Sequence, residues 1–396
     1  MSFDLSIDRE SPFQPGKPVS PHYFKGRQSS IQKILRYYNK ACHKDLQHFF
    51  LTGKKAAGKT SLADFVMQYL EKYGNALGIY VSNKGKNSLK DLVTSIFEAF
   101  LNKVEKGFFE RNFEGLFGTI ENVEFTDTHI HFRPDEETSG NLVDGFHYIL
   151  NELINKEFTD FDCVFLVIED INDLSAQSEF VNWYKRFADT IEVDNSFNLP
   201  LYILFTSYPE KFDSLVLEEL AFGRIFHYEE IGSLEDSEVR EFFIDTFDSA
   251  GMKCKQDALE LLVLFSQGSP LMMQQIGDAV FWKSNGEIIT KKTATIGVLN
   301  AANELENKQI QSDLNRIKSQ QFLNILLKLG KNHIFSFKKS ELEYYLPYDE
   351  KNVLNEFLAE MIEIGILNST GMKNSIEYEF SNILYLSYFM IKAELT

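Results

Sequence analysis

In FFLTGKKAAGKTSLADF (49–65) an apolar, strand-like run stops at Thr52, a turn with two glycines and three lysines follows, and a helical pattern begins near Lys59. Few strings constrain a fold as tightly. A strand must deliver the turn to a helix N-terminus, because only there do successive backbone N–H groups converge on the oxygens of one anion. The spacing of Gly53, Gly58, Lys59 and Thr60 fits G-x-x-x-x-G-K-[ST], the spacing of a phosphate-binding loop. Gly53 and Gly58 permit the turn and a close backbone approach. Lys59 is placed to neutralise β- and γ-phosphates, and the Thr60 hydroxyl to ligate Mg²⁺. The expected nucleotide-binding set is Gly53, Ala56, Ala57, Gly58, Lys59, Thr60 and Ser61. An accidental glycine-lysine turn would not be framed by an apolar strand and a helix.

Nucleotide hydrolysis also needs one carboxylate for the metal shell and a second to orient the attacking water. CVFLVIEDIND (163–173) supplies an apolar strand that ends in Glu169 and Asp170. Thr60 and Glu169 are the expected metal ligands. Asp170 is the expected base, and its short side chain in second place predicts slow turnover. Asp173 is a spare acid with no assigned role. LYILFTSYP (201–209) ends its apolar run at Thr206 and Ser207. A hydroxyl at that tip either meets the γ-phosphate or its water, or satisfies local backbone, and both readings stand.

Charge and cysteine content exclude other classes. A formal charge of -18 and a pI near 5.0 argue against a chain that coats nucleic acid through its overall charge. Cys42, Cys163 and Cys254 are scattered and form no CxxC pair, which suits a reducing compartment and offers no disulfide or zinc framework. The first residues, MSFDLSIDRESPFQPGKPVSP, lack the apolar core of a signal peptide, and no run approaches the roughly 18 apolar residues of a membrane span. A soluble cytoplasmic protein without a membrane partner is expected.

Strand-like runs at 47–52, 77–82, 163–168, 201–206 and 225–230 alternate with helical patterns at 27–43, 59–72, 88–104, 141–156 and 176–191. Such alternation predicts an α/β fold whose parallel sheet is wrapped by helices on both faces. Residues 1–22, polar and punctuated by proline, read as an arm and not a packed element. Residues 107–140 read as an insertion that carries a hairpin, VEFTDTHIHFRP, in which His129 and His131 share one face without a third ligand. Beyond 231 the pattern turns helical, at 235–250, 256–266, 271–284 and 290–305. Helices at 314–329, 338–345 and 349–364, then GILNS and IEYEF around TGMKN, read as a winged helix.

With these pieces in order, residues 12–396 resemble the AAA+ and STAND branch of P-loop ATPases, in particular prokaryotic ATPases related to origin-recognition proteins. SPFQPGKPVSPHYFKGRQSSIQKIL is similar to the N-terminal box of that family, which implies that Phe24, Gly26 and Arg27 flank an adenine. The resemblance further implies a sensor at Thr206 or Ser207 and an α-helical lid over 232–310. Gly268-Ser269-Pro270 is similar to the G-x-P element of STAND switches, which would put Pro270 near the adenine; a sensor arginine is not found there. Arg224 falls where many AAA+ proteins carry an arginine that reaches a neighbouring subunit's nucleotide. A surface arginine at a helix C-terminus is the other reading. The implied organisation is an arm (1–22), a P-loop NTPase core (23–231), the lid (232–310) and a winged-helix domain (311–396).

The helix of the winged helix expected to meet DNA, YDEKNVLNEFLAEMIEIGIL, opens with Asp349 and Glu350 and carries Glu356, Glu360 and Glu363 against Lys351 alone. Carboxylates facing phosphates repel them. The wing turn offers one lysine, Lys373, and the cluster of Lys331, Lys338 and Lys339 reads as a solvated face. The expectation is therefore an ATP- and Mg²⁺-dependent switch that couples nucleotide state to homo-oligomer assembly or to a protein partner. The resemblance adds a mobile-element or antiviral setting. The alternative is a DNA-binding ATPase that positions other proteins on DNA.

Overall fold

A computed structural model describes residues 10–17, 19, 23–103, 123–125, 130–132, 141–175, 177–194, 197, 199–284, 286–306, 310–370 and 376–394. The chain forms two compact units. One comprises 27–54 and 59–232, the other 1–26, 55–58 and 233–396.

The first unit holds α1 (Gln28–Ala41), β1 (Gln47–Thr52), α2 (Lys59–Tyr73), β2 (Ala76–Ser82), α3 (Leu89–Leu101), a hairpin of β3 (Val123–Phe125) and β4 (Ile130–Phe132), α4 (Phe146–Glu157), β5 (Cys163–Glu169), α5 (Ser178–Val193), β6 (Leu201–Ser207), α6 (Pro209–Glu218), α7 (Phe222–Ile225) and β7 (His227–Glu230). Five strands pair in parallel in the order β2-β5-β6-β1-β7. The expected α/β class with a helix-wrapped parallel sheet is what forms. Strands β1 and β6 are buried along their whole length, and β5 up to Glu169. That is why β5 and β6 read as near-continuous apolar runs and not as alternation. Among the boundaries that differ from the expected ones, two change an element's make-up. The run expected at 225–230 gives its first residue to α7, whose turn ends at Ile225, and leaves a four-residue edge strand. The helix expected from 141 breaks at Gly145, and α4 starts at Phe146. The turn of the β3–β4 hairpin, with His129 and most of 107–140, lies outside the described residues.

β1 also carries a buried imidazole. His48 Nδ1 lies 2.6 Å from the Tyr184 hydroxyl, among the rings of Phe187 and Phe226. Burial, helped by repulsion from His227, drives its pKa down to about 3. The ring is therefore neutral in the folded state, whereas in the unfolded chain it titrates near 6.5. Below that value the unfolded state binds the extra proton, so this contribution is complete above pH 6.5 and is lost as pH falls towards 3. Between pH 7.5 and pH 5 it should amount to about 2 kcal/mol. Urea unfolding followed by Trp183 in a Trp282→Phe background reads this unit. His48→Gln should lose that pH dependence, and an unchanged slope would refute it.

The second unit is largely helical: α8 (Asp236–Ser249), β8 (Lys253–Cys254), α9 (Gln256–Ser266), α10 (Pro270–Lys283), β9 (Ile288–Ile289), α11 (Lys291–Leu305), α12 (Gln311–Leu314), α13 (Gln320–Lys331), β10 (Ser336–Lys338), α14 (Lys339–Tyr345), α15 (Tyr348–Asn352), α16 (Leu354–Ile364), β11 (Leu367–Thr370), β12 (Glu377–Phe380) and α17 (Ile383–Ala393). One apolar core runs through it from Val239 to Ile391. The helix expected over 314–329 starts only at Gln320, capped by the Ser319 hydroxyl. The helix expected over 349–364 is interrupted at Val353, whose backbone leaves helical angles. The two expected hairpin strands form, and a third, β10, pairs beside β12 in the order β10-β12-β11. The connecting turn with Lys373 lies outside the described residues.

The arm is not uniformly unpacked. Phe13 is 3% exposed, and its ring lies tilted against that of Phe247 with centroids 4.8 Å apart. Gln14 N–H donates to the Gln274 side chain at 2.7 Å. Gly277 of α10 makes room for the Phe13 ring, which a Cβ there would strike. Overpacking of this kind costs about 1–3 kcal/mol. Gly277→Ala should therefore lower the stability of this unit, followed by Trp282 fluorescence, and Phe13→Leu in the same chain should recover part of the loss. No loss would mean that Phe13 does not occupy this place in solution.

Candidate functional site: a lysine and three oxygens at the C-terminal edge of the sheet

The parallel register brings the ends of β1, β5 and β6 to one edge. Thr52 pairs with Ser207, Ile168 with Phe205, and Ser82 of β2 with Glu169. The turn after β1 therefore lies close to the carboxylates after β5, although more than a hundred residues separate them in sequence. Within the turn the left-handed positions are Ala56 (φ 68°) and Gly58 (φ 91°). Gly53, expected to hold the unusual backbone, instead supplies a carbonyl to Lys59.

The Lys59 ammonium donates to Gly53 O at 2.5 Å and to Lys54 O at 3.2 Å, and sits 4.9 Å from the centre of the Tyr208 ring. Burial lowers its pKa, against the pull of Asp170, Glu169 and Glu210. A half-buried cation that meets carbonyls and a ring face among the described residues is poised for an anion. Next to it the Thr60 hydroxyl donates to Glu169 Oε1, and the Tyr80 hydroxyl donates to Glu169 Oε2. Burial and the Glu169 carboxylate together push the Tyr80 phenol far above its ordinary range. Tyr80 stands opposite Val167 in the β2–β5 register, so it shares a sheet face with Glu169. Ala57 lies in the turn, and Ser61 in the first turn of α2.

Asp170 follows β5 with φ 61°, a left-handed backbone that costs a non-glycine residue on the order of 1–3 kcal/mol. Its surroundings hold it there. Its N–H donates to Thr206 Oγ1 at 3.0 Å. Asn172 donates through its side-chain amide to Asp170 Oδ1, and accepts from Tyr208 N–H at 2.7 Å. Asn83 N–H donates to Glu169 O at 2.8 Å. At the β6 tip both hydroxyls meet local backbone. Thr206 is 1% exposed with its hydroxyl oxygen on the Asp170 backbone, and Ser207 donates to Tyr208 O at 3.1 Å. Sequence reasoning missed Tyr80, Asn83, Asn172 and Tyr208. Tyr80 left one trace, as the phenol in an otherwise apolar strand.

The other expected residues have these settings. Arg224 is exposed on α7, beside the edge strand β7. Arg27 has φ 62° and directs its guanidinium to Gly232 O, while Phe24 is half-buried in the other unit. In that unit Pro270 opens α10 behind its Ser269 cap, and its Cγ lies 3.3 Å from where a Cβ on Gly58 would be.

No protein-family model and no curated protein matches the chain. Solved structures do. The ORC2 protein of Aeropyrum pernix, in its ADPNP-ADP complexes, aligns at a TM-score of 0.53 and 10% identity over 98% of this chain and 97% of that one. The Walker-type ATPase PABY2304 of Pyrococcus abyssi aligns at 0.51 and 14% identity, over 96% and 98%. The ADP form of the ORC2 protein aligns at 0.50 and 10% identity, over 94% and 95%. The chain shares the P-loop NTPase fold of these structures. Among the described residues no helix is long and apolar enough to cross a membrane.

Proposed function

We propose that this chain binds and slowly hydrolyses ATP with Mg²⁺, and that nucleotide state sets its assembly and its hold on a protein partner. One observation carries the reading: Lys59 and Thr60, which open α2, are brought to one point at the sheet edge with Glu169, 109 residues further along the chain. The structural neighbour solved with ADPNP and ADP supports the choice of nucleotide.

The donor set fits the metal. The Thr60 hydroxyl and the Glu169 carboxylate already share one hydrogen bond, and hard oxygens of this kind suit Mg²⁺. When bound, Mg²⁺ would supply charge neutralisation between the phosphates. Lys59 would give up its loop carbonyls for phosphate oxygens, with Gly53, Ala56, Ala57, Gly58, Thr60 and Ser61 presenting the turn. Asp170 would orient the water, held in place by Thr206 and Asn172; Thr206 is then a positioning residue. Arg224 would add positive charge to a neighbouring copy's phosphates only when that copy is docked. Phe24, Arg27 and Pro270 are the proposed adenine neighbours. We read 23–231 as the ATPase core, 232–310 as its lid, and 311–396 as a winged helix that serves as output.

Calorimetric titration of the full chain with Mg-ATP, paired with solution mass in the presence and absence of nucleotide, tests this reading. Saturable heat and a change in mass are expected. No heat, with equilibrium dialysis also blank, would overturn it.

A further inference from the structure

The helices α14, α15 and α16 turn Leu342, Leu346, Leu354, Phe357 and Met361 inward. Their outer side is unusual. Tyr344 is 87% exposed, Tyr348 81% and Tyr345 50%, with the rings of Tyr344 and Tyr345 edge-on at 5.8 Å. None of the three hydroxyls has a hydrogen-bond partner among the described residues. Three large rings in five residues, left in water without a local use, mark a contact surface more than scattered exposure does.

Charge selects the occupant. Residues 339–364 carry seven carboxylates against two lysines. Glu350 is buried against Lys328, Glu343 is paired with Lys339, and Glu360 accepts from Lys318 N–H. Glu341 is exposed on α14 with Tyr344 and Tyr345, Asp349 is exposed on α15 beside Tyr348, and Glu356 is exposed in the first turn of the next helix, α16. A phosphate backbone or an anionic bilayer meets repulsion at such a face, and so does a symmetric copy of the face itself. Guanidinium groups meet two attractions at once: ring faces for stacking and carboxylates for forked hydrogen bonds.

We propose that this face docks an arginine-rich segment of a partner protein. The inference rests on the switch reading only in taking that partner as what the switch acts on; docking itself needs no nucleotide.

The test uses the full chain without nucleotide and a fluorescein-labelled peptide of alternating arginine and glycine, read by anisotropy. Any protein this acidic attracts such a peptide, so the decisive comparison keeps charge constant. Tyr344→Ser with Tyr348→Ser should weaken binding about tenfold, the scale of two lost cation–ring contacts. Tyr73→Ser with Tyr148→Ser, at sites 65% and 60% exposed in the other unit, should leave it unchanged. Circular dichroism of both variants should match the parent, since no removed ring is buried. Equal binding by all three proteins would reduce the effect to bulk charge and overturn the proposal. Duplex DNA binding that the first variant loses, or a change in that variant's oligomeric mass, would overturn it too, in favour of a nucleic acid or a second copy. Peptide docking that survives in Lys59→Ala while Mg-ATP binding vanishes would show the two readings failing or standing separately.

Discussion

Lys59→Ala is expected to weaken Mg-ATP binding about a thousandfold while leaving the fold intact. The side chain makes two hydrogen bonds to loop carbonyls in the free protein, at Gly53 and Lys54. Exchanged for phosphate oxygens they become charge-assisted on both sides. Two such bonds at about 1.5–3 kcal/mol each correspond to roughly three orders of magnitude in affinity. The fold survives because the alanine leaves carbonyls at a half-buried turn that water can reach. The same lysine sets a pH dependence. Burial lowers its pKa in the free protein, and a bound triphosphate would raise it. Affinity should therefore be complete at neutral pH and fall as pH rises through the free-state value, which lies below the ordinary lysine range. Lys59→Arg, which stays protonated, should bind without that alkaline loss. Calorimetry across pH measures both variants. Unimpaired binding in Lys59→Ala would remove the turn from nucleotide recognition.

Lys328→Met should destabilise the C-terminal part of the second unit by about 3 kcal/mol, at the low end for a broken buried pair because the lysine is partly in water. Both Glu350 oxygens accept from Lys328 Nζ at 2.7 Å, and Glu350 is only 5% exposed. Without its partner the carboxylate is left in an apolar setting between α13 and α15. The reverse change is milder, since in Glu350→Gln the lysine keeps a hydrogen-bonding neighbour and access to water. Replacing both by methionine should recover most of the loss. Urea unfolding read through Trp282 orders the four proteins; equal stability of Lys328→Met and the parent would show that the pair contributes nothing.

Glu350 also shows where reading a sequence stops. Counted with Asp349 it made the expected DNA-facing helix look acidic at its very start. The structure turns Asp349 outward and folds Glu350 in against Lys328, so only one of the two charges belongs to the surface. The stretch remains acidic, on Asp349, Glu356 and Glu363, which stay exposed.

Much of the fold was legible in the residues. A strand buried on both faces must be apolar throughout, so β5 and β6 announced themselves. Gly58-Lys59-Thr60 after β1 declared a turn built for an anion, since those residue types at that spacing serve little else. These are local properties, carried by runs of neighbours. What tertiary structure alone decided joins residues that no local pattern links: Tyr80 reaching Glu169 from β2, Thr206 and Asn172 holding a left-handed Asp170, Phe13 filling the gap that Gly277 leaves, and β10 completing a sheet with β12. Each depends on which distant element packs alongside. Periodicity reports that a side is buried, while the identity of what covers it is set only when the chain closes on itself.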